Sequence, residues 1–527
     1  MTDMATYDYI VVGSGSAGSV VAGRLSENPD NRVLLIEAGP RKTGMEVKVP
    51  AAFAKQFKTD LDWAVMTEPE PGLDDRVLYH PRARYLGGCS GMNAMMYVRG
   101  SRHDYDDWAK GGAVGWSYDE VLPLFKVSER NSRGASQYHG AVGPLYIEDQ
   151  RDRNPLSDRI VAGMVETGMP RNDDCNGADQ LGAGNHQSTL RRGQRWTTAD
   201  GYVRPALKRA NFTLLSDAQV HRVSVEGGRA VGVEVEVEGR LRTIRADREV
   251  ILSAGAFNTP QLLMLSGIGP ADHLAEHGIA TLLDNPNVGA HLMDHPFYTA
   301  NFETSAKGTL AEAESPIQLV KYLAARKGLL TSPIAEVTGF LRTRPDEETP
   351  DIQLVGGPAY FWDNGFSTHD KAAYVIAASL IGSKSRGSVR LRSADPKAQV
   401  AARFNYMSDP AEMDSMVAAI ERIRAVADSA ALKPLTTRHL HPPASVRTRA
   451  ELEADIRRNI VHTYHPSCTA RMGSEADGVV DHELRVHGVS GLRVADASVF
   501  PTVTHGNTHA PSVLVGEKAA AMIAAAR

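Results

Sequence analysis

The stretch VHTYHPSCTARMG, Val461 to Gly473, sets His462, His465 and Cys468 three residues apart. Imidazole and thiolate are common zinc and copper ligands, so the spacing raises the question of a metal site. Pro466 argues against one: a proline directly after the central histidine disfavours helix there, and neither i,i+3 pair then shares a helical face. No second Cys/His pair at zinc-ligand spacing lies nearby to complete four ligands, and no metal is expected. The other chemistry open to His465 is proton transfer, because an imidazole titrates close to neutral pH.

A nucleotide clamp opens the chain. YDYIVVGSGSAGSVVAGRLSENPDNRVLLIEAG reads as strand, glycine turn, helix and strand. Tyr9 to Val12 is an apolar buried-strand run, Ser19 to Leu25 is small and apolar enough for a packed helix, and Val33 to Ile36 is a second strand. Gly13, Gly15 and Gly18 fall at G-x-G-x-x-G spacing, with Ser16 and Ala17 between the last two. The first glycine permits the turn, the second lets a pyrophosphate approach the backbone, and the third lets helix and strand pack closely. N–H groups at the helix N-terminus meet the phosphate charge. Glu37, followed by Ala38, closes the second strand, placed to accept from ribose hydroxyls and to disfavour a 2′-phosphate. The pattern predicts an adenine dinucleotide and does not separate NAD from FAD.

Two further stretches are rich in glycine. ARYLGGCSGMNAMMYVRGSRHDYDDW contains Arg84 and sets Gly87, Gly88, Cys89, Ser90 and Gly91 in a row, which removes the Cβ atoms that would keep backbone off a flat ligand. GAFNTPQLLMLSGIG, Gly255 to Gly269, reads as a loop, a short apolar helix starting near Pro260 and a glycine stop. Together with the clamp they resemble the two sequence signatures of the glucose–methanol–choline (GMC) flavoprotein oxidoreductases. The likeness runs end to end and includes the C-terminal RVADASVFPTVTHGNTHAPSVLVGEKAA.

The resemblance implies FAD. Asn93 stands where some relatives have a histidine linked to the flavin, which implies non-covalent binding, with Ala94 and Met95 continuing along the isoalloxazine. Val220, Asp496, Ala497 and Thr508 are further implied cofactor contacts, although Asp496 also reads as a turn aspartate. His465 and Asn507 match the pair that such enzymes place at the flavin. The implied reaction is oxidation of a primary alcohol to the aldehyde, with His465 taking the hydroxyl proton, hydride passing to flavin N5 and Asn507 bonding the substrate oxygen. His509 is the alternative partner, and His462 and Cys468 become packing residues. A last helix with Pro511 in its first turn would aim free N–H groups at the flavin's pyrimidine edge.

For the substrate, Phe361 and Trp362 in GGPAYFWDNGF, with Tyr464, form a candidate apolar mouth for an aryl or medium-chain aliphatic alcohol. Glu336 corresponds to an acidic position that faces the substrate cation in choline-oxidising relatives. A histidine those relatives carry is replaced near Val355, so choline is the second expectation. A flavin-binding protein without catalysis is the alternative class, and the intact His465 and Asn507 stand against it.

The whole chain sets the outer limits. It has 527 residues, 58 basic and 63 acidic, with no long basic block, which argues against nucleic acid as partner. Three scattered cysteines fit a reducing compartment rather than a disulfide framework. No apolar run approaches the roughly 20 residues of a membrane span, and the N-terminus has no leader-like pattern. A cytoplasmic enzyme is expected, passing electrons to oxygen, a quinone or a carrier, with an oligomer compatible. The expected fold is α/β with two domains: a Rossmann-like FAD-binding domain, discontinuous over 1–155, 195–295 and 455–527, and a substrate domain over 156–194 and 296–454, a sheet covered by helices.

Overall fold

The computed structural model describes residues 6–345 and 347–526, so residues 1–5 of the N-terminus read above for a leader pattern lie outside them. The apolar runs of the clamp become the middle of a seven-stranded sheet. Its order is Phe212–Leu215, Val33–Ile36, Thr6–Val12, Arg240–Leu252, Arg229–Val237 and Ala218–Glu226, with Leu492–Val494 paired on Arg240–Leu252. Val33–Ile36 is buried at every position, as a parallel strand covered on both faces must be. Arg240–Leu252 joins two kinds of pairing, antiparallel to Arg229–Val237 in its first half and parallel to Thr6–Val12 in its second. The strands Ala218–Glu226 and Arg229–Val237 form a hairpin, with Gly227 and Gly228 supplying the positive φ values of its turn.

Beneath this sheet the helix Gly18–Leu25 packs on the C-terminal helix His509–Ala525. The contact is close because Gly516 has no side chain: a Cβ there would lie 2.7 Å from the Ala17 carbonyl. Buried Glu517 ties the pair, accepting from Arg24 Nε at 2.8 Å and Tyr202 Oη at 2.7 Å.

The helix of the second signature starts at Gly255, ahead of the expected Pro260. Asp496 Oδ2 explains the early start, accepting from Gly255 N at 2.9 Å and Thr259 Oγ1 at 2.6 Å. Pro260 sits inside the helix with no N–H to give the Ala256 carbonyl. Thr469 Oγ1 donates to that carbonyl instead, at 2.8 Å.

A second seven-stranded sheet runs Thr436–His441, Pro296–Thr304, Ala373–Leu380, Ile352–Gly357, Val337–Leu341 and Gly182–Asn185, with Val461–His462 paired on Pro296–Thr304. Helices Pro155–Glu166 and Pro410–Ala427 pack against it. Side chains alternate across a strand. Tyr298, Ala300, Leu354, Ile376 and Ala378 therefore enter the core with those helices, while Phe297, Thr299, Gln353, Val355, Val375 and Ala377 face a cavity. Among the described residues no helix is long and apolar enough to cross a membrane.

Thr469→Val keeps shape but removes the hydroxyl that satisfies Ala256. The buried carbonyl is then unpaired, and the fold should lose about 1–3 kcal/mol, read as a lower urea midpoint. An unchanged midpoint would contradict this account of the proline-containing helix.

Candidate functional site

A cavity of about 340 Å³ runs from the glycine clamp to the face of the second sheet that carries Phe297, Thr299 and Gln353. Gly13, Gly15, Ser16, Ala17, Glu37, Ala38 and Val220 line one end. His465, Asn507, Tyr464, Phe361, Phe297 and Val355 line the other.

His465 is set by two segments laid antiparallel. Met293 and Ser467 exchange backbone hydrogen bonds at 3.2 and 3.0 Å, and Thr463 N donates to the His295 carbonyl at 3.0 Å. Asp294 Oδ1 then accepts from both His295 N at 2.7 Å and His465 N at 2.9 Å. The imidazole is bonded at both nitrogens: Nδ1 is 3.0 Å from His295 Nδ1 and Nε2 is 3.3 Å from Asn507 Nδ2. Asn507 itself is fixed by its loop, where His505 Nδ1 lies 2.5 Å from Asp104 Oδ1 and the His505 carbonyl accepts from Gln180 Nε2 at 2.6 Å.

Burial governs the charges here. It pushes the His465 imidazole down to about 3, with Arg82 adding to the effect. His462 is likewise pushed down to about 3 and His509 to about 4 by burial. Asp294 moves the other way, up to about 7, because burial penalises its carboxylate. At neutral pH the imidazole of His465 is therefore uncharged and its proton-accepting form complete.

The opening trio does not converge. His462 turns away from His465, its Nε2 donating to the Tyr79 carbonyl at 2.8 Å, and Cys468 Sγ donates to its neighbour Ser467 Oγ at 3.4 Å. His80, Asp294 and His462 do approach one another, with donor atoms within 4.8 Å. The two rings, however, stack face to face with centroids 3.3 Å apart and planes 13° apart. Lone pairs lying in parallel ring planes do not converge on one ion.

The glycine end fits a dinucleotide. Gly13 has φ +97 and a Cβ there would meet the Ser253 carbonyl oxygen at 2.4 Å, while one on Gly18 would lie 2.0 Å from the Gly13 carbonyl. Gly15 differs: a Cβ there meets nothing within 4 Å. Packing within the chain gives no reason for that glycine, whereas close approach of a pyrophosphate does. Gly88 closes the cradle from the other signature, where a Cβ would reach Gly15 Cα at 2.7 Å. Glu37 is held by Ser14 Oγ at 2.6 Å, Ser14 N at 3.1 Å and Gly39 N at 2.9 Å. His509 Nε2 is buried without a partner among the described residues, and its Nδ1 lies 2.8 Å from Ser16 Oγ. His509 thus belongs to the glycine loop, not to His465 as the alternative partner.

Comparison with known proteins matches residues 7–297 to the N-terminal and residues 383–516 to the C-terminal family model described as GMC oxidoreductase. The chain belongs to the GMC oxidoreductase family. This GMC oxidoreductase is 44% identical over 523 residues to an uncharacterized GMC-type oxidoreductase of Mycobacterium tuberculosis, covering 98% of this chain and 99% of that one. It is 41% identical over 520 residues to an oxygen-dependent choline dehydrogenase of Sinorhizobium fredii, covering 97% and 94%. Among solved structures it resembles pyridoxine 4-oxidase from Mesorbium loti, with a TM-score of 0.89, 30% identity and 98% of each chain covered. It also resembles a variant of formate oxidase from Aspergillus oryzae studied for FAD modification, with a TM-score of 0.94, 27% identity and coverage of 100% and 99%. The fold is the mixed α/β, two-domain FAD-binding fold of these flavoproteins, and the protein is an oxidoreductase.

Within the GMC oxidoreductase some expected contacts stand elsewhere. Glu336 does not line the cavity: its carboxylate is used by Ser332 Oγ at 2.6 Å, Ser157 Oγ at 2.7 Å and Asn154 N at 3.1 Å. Trp362 is also outside, stacked on His441 at 3.7 Å between centroids. Arg84 lies over the Trp63 ring, 4.9 Å from its centroid, and Gly18, Gly87 and Ser90 stand behind the lining. Asn93, Ala94, Met95, Asp496, Ala497 and Thr508 do line it. Asp496 serves as cap as well, since Ser498 N donates to its Oδ1 at 2.8 Å. Sequence reasoning missed Asp294, His295 and Gln353; the only local signal was the Asp-His-Pro run ahead of a strand.

The two glycines separate packing from ligand. Gly15→Ala should melt like wild type without cofactor yet purify with little FAD, whereas Gly18→Ala should fold poorly, because its methyl meets backbone at 2.0 Å. Flavin absorbance per protein and thermal melting decide it; wild-type FAD content in Gly15→Ala would contradict this reading of the cradle.

Proposed function

We propose that the chain oxidises an uncharged primary alcohol, aryl or medium-chain aliphatic, to the aldehyde, with FAD bound non-covalently along the cavity. The observation that carries this reading is the His465–Asn507 pair at the end of a cavity whose only lining carboxylates, among the described residues, are Glu37 and Asp496. Both are tied into the dinucleotide end by the hydrogen bonds given above. A substrate cation would meet no carboxylate at the reacting end. Pyridoxine, in the name of one structural relative, is itself an aromatic alcohol.

The clamp, Glu37, Gly88, the Asn93 segment, Asp496 and His509 would hold FAD, which supplies the two-electron acceptor when bound. Asn93 offers no nucleophile for a covalent link, and its Oδ1 is taken by Arg195 Nη1 at 2.8 Å and Met95 N at 3.0 Å. The substrate hydroxyl would sit between His465 Nε2 and Asn507 Nδ2. Uncharged His465 takes the hydroxyl proton, and Asn507 donates to the oxygen that is losing it. Phe297, Val355, Val375 and Phe361 keep water from that oxygen and bury the substrate's apolar part. We assign 1–155, 195–295 and 455–527 to FAD and 156–194 and 296–454 to substrate. The three cysteines are free, which suits the cytoplasm.

A second reading is choline, supported by the choline dehydrogenase relative. Phe297, Phe361 and Tyr464 would then hold the cation through their ring faces.

Anaerobic stopped-flow distinguishes the two. Benzyl or medium-chain alcohols should bleach the flavin at lower concentration than choline does, acid precipitation should free all the yellow colour, and His465→Ala should slow bleaching by roughly 10²- to 10⁴-fold. Preference for choline would replace the substrate reading, and a wild-type rate in His465→Ala would sink the base.

A further inference from the structure

The hydrogen bonds that reach His465 begin at a group that can only accept. The Leu354 carbonyl takes the Thr338 Oγ1 proton at 3.3 Å. Thr338 Oγ1 is left to accept in turn, and Gln353 Nε2 donates to it at 3.3 Å. The same amide nitrogen gives its second hydrogen to Asn507 Oδ1 at 3.2 Å. Asn507 is thereby turned so that Nδ2 lies 3.3 Å from His465 Nε2. An amide NH₂ donates and does not accept, so His465 Nε2 must be the acceptor and carry no proton. The ring's single proton is then on Nδ1, given to His295 Nδ1 at 3.0 Å.

Gln353 is 1% exposed and lies on the strand Ile352–Gly357 of the second sheet, far in sequence from His465 and Asn507. We propose that Gln353 is a positioning residue that holds His465 in its Nδ1–H tautomer through Asn507, leaving Nε2 free to take a proton. The proposal rests on the reading of His465 as base. A neutral imidazole offers one basic nitrogen, and only the one facing Asn507 and the cavity is of use. A carboxylate at this position reverses the chain. It has no hydrogen for Asn507 Oδ1, so the asparagine amide turns to donate to it and presents Oδ1 to His465. An oxygen facing Nε2 requires a proton there, and the useful nitrogen is then occupied.

The test uses FAD-loaded enzyme with isotope-labelled histidine, in which ring-nitrogen NMR tells Nδ1–H from Nε2–H. Wild type should show His465 as Nδ1–H. Gln353→Glu should shift it to Nε2–H and slow anaerobic flavin reduction by about 10²-fold or more, with kcat falling more than KM rises. Gln353→Met, similar in length but without donors, should show both tautomers and an intermediate rate. The methionine variant also covers the case in which the glutamate variant fails to fold. Wild-type tautomer and rate in either folded variant would overturn the proposal. The tautomer is read in the resting enzyme, so a wild-type rate in His465→Ala would overturn the base while the NMR result still judged Gln353.

Discussion

An imidazole removed from water prefers to be neutral, and the junction of the two sheets is built around that preference. His465 sits where Met293–His295 and Thr463–Ser467 lie side by side, buried and with its pKa pushed down to about 3. A dry site strengthens every dipole aimed into it, but it also weakens the imidazole proposed as base. Asp294 lies beside it, its carboxyl pushed up to about 7 by burial and accepting from the His465 backbone N–H at 2.9 Å. His295 Nδ1 lies 3.0 Å from His465 Nδ1, on the side of the ring away from Asn507.

The same burial makes the fold sensitive to acid. Folded-state pKa values for His462, His465 and His509 lie below the ordinary 6.5, at about 3, 3 and 4. The stability this contributes is complete above 6.5 and is lost as pH falls toward those values, because the unfolded chain binds protons the folded one refuses. The proposed chemistry and the stability thus draw on one property, the exclusion of water from this junction.

The parts of the site legible in the sequence are those whose requirement is local. Gly13 and Gly18 are forced by backbone a few ångströms away, and Val33–Ile36 announces a doubly covered strand by composition alone. His465 and Asn507 were reached through the resemblance and lie 3.3 Å apart. Glu336 and Trp362 went astray because an acid or aromatic near a cavity has competing partners that only tertiary structure reveals, here two serine hydroxyls and the His441 ring. The start of the Gly255 helix was missed because its cap, Asp496, is distant in sequence. Gln353 was invisible for a related reason. Which face of its strand meets the cavity follows from register with Ala373–Leu380, where Gln353 stands opposite Ser379, and a single strand does not declare its register.

His465 is neutral because it is dry. Ring-nitrogen NMR of His465 in the FAD-loaded enzyme, followed from about pH 8 down to about pH 5, tests it most directly. The imidazole should stay uncharged across the whole range. A titration centred near the ordinary histidine value of about 6.5 would contradict it.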